Sequence, residues 1–67
     1  MEFKLQTEYI ELIKLLKTLR LVESGGMAKN VVDEGYVLRN GEVETRKRAK
    51  LVKGDIIEFN GDTVRIV

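Results

Sequence analysis

The stretch Glu23-Ser24-Gly25-Gly26-Met27-Ala28-Lys29-Asn30-Val31-Val32-Asp33-Glu34-Gly35, running on through Tyr36-Val37-Leu38-Arg39-Asn40-Gly41, decides the fold. Ser24 can cap a helix by accepting from backbone N–H groups of the first turn. Ala28, Val31 and Val32 fall at i, i+3 and i+4, which gives one narrow buried stripe. Gly35 suits the left-handed position that stops many helices. After it the period changes to two, and Asn40-Gly41 is a favoured two-residue hairpin turn. The glycines at the helix start leave backbone donors open at the positive end of the helix dipole, an arrangement that attracts anions. Ser24, Gly25, Gly26 and Lys29 are therefore candidate anion contacts, against the plainer reading of a cap followed by a tight turn.

Upstream, the spacing predicts a first helix from about Glu8 to Leu19, capped by Thr7. Tyr9, Leu12, Ile13, Leu15, Leu16 and Leu19 share one broad arc facing the core, and Lys14 lies opposite. Lys17 sits at the border of that arc, where it can cover apolar surface and still present its ammonium beside the second helix. Met1 to Gln6 alternates and predicts a short edge strand. Downstream, the first hairpin sets Leu38 opposite Val43 and Arg39 opposite Glu42; which face is buried stays open. Lys53-Gly54-Asp55 reads as a turn, and a second hairpin about Asn60-Gly61 places Ile57, Phe59, Val64 and Ile66 on one face.

Sixty-seven residues make one small domain, 1–67, with no room for an active-site cleft of ordinary size. With 43% apolar and 34% charged residues the chain can fold, under a highly charged surface. It has no cysteine and no histidine. Disulfides, thiolate zinc sites, imidazole bases and cysteine nucleophiles are thereby excluded. Asp33 with Glu34, and Asp55 with Glu58, are paired carboxylates, read as a helix end, a turn and a strand surface. The expectation is no catalytic residue, no metal and no cofactor. No apolar run reaches membrane-spanning length and the start lacks a secretory leader pattern, so a cytoplasmic chain is expected.

The net charge of +1 decides nothing, but its distribution does: residues 1–38 carry −1, residues 39–53 carry +4 and residues 54–67 carry −2. Arg46-Lys47-Arg48-Ala49-Lys50 places four cations in five residues, a self-repelling run that a polyanion would relieve. A solvated loop or a localisation signal is the plainer alternative. Arg39 is either another cation for that polyanion or a surface partner of Glu42. Tyr36 could stack on a base, whereas Phe59, on the apolar hairpin face, is expected in the core.

The ordered series Ser24 with Ala28-Lys29, then Gly35-x-Val37-x-x-Asn40-Gly41, then Lys53-Gly54-Asp55-Ile56-Ile57, resembles the αL RNA-binding domain of ribosomal protein S-four. The Ser-Gly-x-x-Ala-Lys start and the run from Glu44 to Lys50 are most similar to the small stand-alone bacterial members of the YbcJ and YaaA type. Many members carry Arg or Lys after the capping serine, where this chain has Gly25, and an apolar residue where it has Arg39. The resemblance implies an α+β fold, with two packed short helices against a small, mostly antiparallel sheet of four or five strands. It also implies a non-enzymatic chain that binds structured RNA, ribosomal RNA foremost; association with the ribosome and a monomeric state are expected. The expected RNA-binding set is Lys17, Ser24, Gly25, Gly26, Lys29, Arg39, Arg46, Lys47, Arg48 and Lys50. The alternative is a protein-interaction module that docks on a ribosomal or regulatory protein.

Overall fold

A computed structural model describes residues 1–67. The chain orders as β1 (Glu2–Phe3), β2 (Ile10–Glu11), α1 (Leu12–Thr18), α2 (Gly25–Asp33), β3 (Val37–Arg39), β4 (Glu42–Val43), β5 (Lys50–Leu51), β6 (Ile56–Phe59) and β7 (Asp62–Ile66). Five strands form one sheet in the order β1-β7-β6-β3-β4, antiparallel except for β1 beside β7, and β2 pairs with β5 as a separate ribbon. Both helices lie on one face of the sheet. The α+β architecture expected from the sequence is the one observed.

The core fills the space between helices and sheet. Leu12, Leu15 and Leu16 from α1 and Ala28 and Val32 from α2 meet Val37, Ile57, Val64 and Ile66 from the strands, with Leu51 beneath the ribbon. Leu5 is buried, and its N–H donates to the Val67 carbonyl, which ties the N-terminal segment to the sheet edge. No helix is long and apolar enough to cross a membrane.

The second helix forms as its sequence predicts. The Ser24 hydroxyl accepts from the Met27 N–H at 3.1 Å. At the other end Gly35, at φ +83°, donates to the Val32 carbonyl, and Tyr36 donates to the Val31 carbonyl. That pair of bonds is a Schellman stop, and it uses the left-handed residue glycine supplies without steric cost. The same two bonds close α1, from Arg20 to Lys17 and from Leu21 to Leu16. There the left-handed position is held by Arg20 at φ +57°.

The first helix begins later than expected, at Leu12 rather than Glu8. Ile10 and Glu11 are drawn into antiparallel pairing with Leu51 and Lys50. The Leu12 and Ile13 N–H groups donate to the carbonyls of Ala49 and Lys47, so a distant loop caps the helix. Thr7 is not a cap; its hydroxyl donates to the Tyr9 carbonyl. Tyr9 accordingly leaves the expected core arc and is exposed, with the Lys50 ammonium 5.0 Å from its ring centre.

Both hairpins turn on Asn-Gly pairs with positive φ at each residue, as a type I′ turn requires. Leu38 opposes Val43, Arg39 opposes Glu42, and Ile57 opposes Val64, all as predicted. The buried face of the first hairpin is the one carrying Val37 and Arg39. Although Arg39 stands opposite Glu42, its ion pairs are with Glu44 and Asp55, so the alternative of a surface pair with Glu42 is not what forms.

Candidate functional site

The basic segment after β4 is built around two buried carboxylates. Glu44 receives the Arg46 guanidinium through Nε at 3.0 Å and Nη2 at 3.1 Å, and the Arg46 backbone N–H at 3.2 Å. Arg39 donates to Glu44 at 3.3 Å, to Asp55 at 2.9 Å and to the Lys50 carbonyl at 2.9 Å. Asp55 also accepts from the Val52 N–H and the Asn40 amide, and Asn40 in turn accepts from the Ile56 N–H. One arginine thus pins both ends of the basic loop to the hairpin beneath it. The loop is held by a charged network with no unsatisfied buried side-chain polar atom.

These contacts set the carboxylate chemistry. The Arg46 guanidinium, with its own N–H and Arg39, holds Glu44 down at about 2 from the ordinary 4.5, although burial pulls the other way. Burial would raise Asp55, but the Val52 N–H, Asn40 and Arg39 together bring it below its usual range. A folded-state pKa below the unfolded one adds stability that is fully present above the unfolded value and is lost as pH falls toward the folded one. For Glu44 that window runs from 4.5 down to about 2. Thermal unfolding followed from neutral pH into that window should show a loss of about 1–3 kcal/mol from this group, discounted for the exposure of Arg46. Glu44→Gln should remove that part of the pH dependence.

The cations of the loop face outward. The side chains of Arg46, Lys47 and Arg48 are 72%, 45% and 79% exposed. Lys47 reaches Asp33 at 3.9 Å, and Arg48 reaches Glu11 at 3.1 Å. Such exposed pairs contribute about 0–1 kcal/mol each, so these cations can exchange partners at little cost. Lys50 is exposed beside Tyr9.

At the other end of α2, a β-carbon on Gly25 would lie 3.9 Å from the Lys17 ammonium, so Lys17 stands over the helix start as predicted. By helix geometry the N–H groups of Gly25 and Gly26 have no partner within α2, whereas that of Met27 is taken by Ser24. Gly25, Lys29 and Asp33 share one face at successive i+4 steps. Lys17 stands over the first of them and Lys47 pairs with the last. The helix start and the basic loop are therefore not adjoining. They bracket α2, separated by about 12 Å of helix, with exposed Lys29 midway.

Of the ten residues singled out from the sequence, Lys17, Ser24, Gly25, Gly26, Lys29 and Lys47 lie along α2 or at its ends, whereas Arg46 reaches Glu44, Arg48 reaches Glu11 and Lys50 lies beside Tyr9. Arg39 turns its guanidinium into the network below the loop. The paired carboxylates separate into different environments. Asp33 and Glu34 are exposed at the end of α2, Asp55 is buried under the loop, and Glu58 is exposed on the outer sheet face. Sequence reading missed Glu44 and Asp55 as the supports of the basic segment. The available signal was Arg39 itself, two residues from buried Val37 on the same strand face and so in need of inward partners.

Comparison with known proteins agrees with this fold. The S4 domain family matches residues 3–67. A curated relative from Escherichia coli, named "Putative RNA-binding protein YbcJ", is 46% identical over 59 residues, covering 88% of this chain and 84% of its own. "Probable ribosome maturation protein RlbA" of Bacillus subtilis is 42% identical over 57 residues, covering 85% of this chain and 80% of its own. The solution structure of Escherichia coli YbcJ, described as revealing an αL motif involved in RNA-binding, superposes with a TM-score of 0.75 at 43% identity. It covers 98% of this chain and 85% of that one. With its helical pair, its hairpins and the family match over residues 3–67, the chain belongs to the S4 domain family.

Proposed function

We propose that the protein is a non-catalytic, cytoplasmic RNA-binding module that recognises structured RNA, with ribosomal RNA as the class. The observation that carries this reading is the line of exposed cations along α2. Lys17 lies at the helix start, Lys29 midway and Lys47 at the far end, and exposed Arg46, Arg48 and Lys50 continue the charge on the loop that carries Lys47. Phosphates would meet the open amides of Gly25 and Gly26 at one end and the arginine forks at the other. Lysines serve as point charges between them. Recognition would be of backbone and shape, since an A-form duplex keeps its base edges in a deep groove. Support for ribosomal RNA comes from the relative named for ribosome maturation. In this reading Arg39 acts beneath the surface, holding the loop that makes the contacts.

A titration of purified Escherichia coli ribosomal RNA with the protein tests the proposal. Saturable binding that weakens with added salt is the expected result. The outer sheet face, where Tyr36 and Val43 are more than half exposed, would favour docking on a protein instead. No binding to the isolated RNA would move the assignment there.

A further inference from the structure

Only one residue other than glycine and asparagine has positive φ, and it is Arg20 at +57°. A long L-side chain in this region crowds its β-carbon against the following carbonyl, so glycine is the usual occupant of the site. The backbone bonds that close α1 hold this position, but no side-chain contact inside the fold compensates the arginine. Its side chain makes no hydrogen bond and no ion pair, and the residue is exposed. The nearest acidic residue in sequence, Glu23, is also exposed and unpaired. Residues held in sparsely populated backbone regions cluster at functional sites.

Arg20 is also not alone. Lys14, Lys17 and Arg20 follow one another at i+3 steps along α1 and its Schellman stop. All three are exposed, and none has a carboxylate partner. Lys17 joins this row to the α2 line, because it stands over Gly25. By contrast Arg46, Lys47 and Arg48 each hold an acidic partner in the free protein. The α1 row therefore presents its charge without exchange of partners.

We propose that the RNA-binding surface extends along α1 and that Arg20 is retained in its left-handed position as a phosphate-binding residue. This inference rests on the RNA reading above. An arginine fork can take two phosphate oxygens at once, which a glycine stop would forgo.

The test measures ribosomal RNA affinity, its salt dependence and the thermal midpoint for wild type, Arg20→Gly and Arg20→Lys. The joint reversal of Arg46, Lys47 and Arg48 to glutamate serves as the control. Arg20→Gly should weaken binding by about 3–10-fold and make the log–log salt slope shallower by about 1. Its thermal midpoint should stay level or rise, by up to about 5 °C, because the strain is relieved. Arg20→Lys, which keeps the charge but not the bidentate fork, should bind between wild type and Arg20→Gly. If Arg20→Gly binds like wild type while the control variant loses binding, the inference is overturned and the RNA reading stands. A lowered midpoint in Arg20→Gly would also overturn it, by marking the arginine as structural. If the control variant itself still binds, the RNA surface is wrongly placed and the inference falls with it.

Discussion

Reversal of Arg46, Lys47 and Arg48 to glutamate is expected to weaken binding to ribosomal RNA by at least about 100-fold at moderate salt. The three changes remove three positive charges and add three negative ones beside a phosphate backbone. At contact distance each unit charge interaction in water is about 1 kcal/mol, and 1.4 kcal/mol is tenfold in affinity. Six units, partly screened, suffice for the stated loss. The fold should survive, because Lys47 and Arg48 make only exposed pairs. Arg46 is different, since it is the main partner of buried Glu44. The triple variant should therefore melt below wild type while staying folded at neutral pH. Lys47→Glu with Arg48→Glu leaves the Glu44–Arg46 clamp intact and should lose about 10–100-fold in affinity with little change in midpoint. Affinity measured for the two variants side by side separates charge from stability. Wild-type affinity in the double variant would remove the loop from the binding surface.

Replacement of Arg39 by methionine is expected to be the most destabilising single change at the site, at about 3–5 kcal/mol. The guanidinium bridges Glu44, Asp55 and the Lys50 carbonyl from a half-buried position, and both carboxylates are nearly inaccessible. Without it buried Asp55 has no cationic partner and faces Glu44, which keeps only Arg46, across the space the guanidinium filled. Removing one partner of a buried network costs far more than the pair itself contributes, because the remaining charge stays desolvated. A domain of this length has only about 3–10 kcal/mol of total stability, so much of the variant would be unfolded near body temperature. Denaturant unfolding measures it directly. Restoring neutrality with Asp55→Asn in the Arg39→Met background should recover part of the loss, since the unpaired Asp55 charge is its cause. A loss below about 1 kcal/mol for Arg39→Met would show the network to be peripheral to stability.

The elements legible in the sequence were those fixed by local chemistry. Asn40-Gly41 and Asn60-Gly61 impose their turn and register whatever surrounds them, and Ser24 and Gly35 delimit α2 from within the segment. The start of α1 was not legible, because it is set by residues nearly forty positions away. Glu8 to Glu11 are acceptable in a helix, but pairing of Ile10 and Glu11 with β5 satisfies their backbone and buries Ile10. Tertiary context overrode propensity there.

The site shows the same division. Charge clustering identified the basic loop, and helical spacing placed Lys17 beside α2. The distance between the loop and the helix start could not be read from the chain, because it depends on the loop packing against the beginning of α1. The inward turn of Arg39 was signalled by the strand face it shares with Val37, but its partner could not be read, because Asp55 arrives from the next hairpin. The missing basic side chain after Ser24 is partly offset by Lys17, which reaches the same helix start from α1.

The measurement that bears most directly on the central claim is the salt dependence of ribosomal RNA binding by the wild-type protein. If the cations along α2 and the loop neutralise four to six phosphates, a plot of log affinity against log salt should fall with a slope of about −3 to −5. A slope near zero, with binding retained, would contradict a phosphate-tracking surface and with it the function assigned to this face.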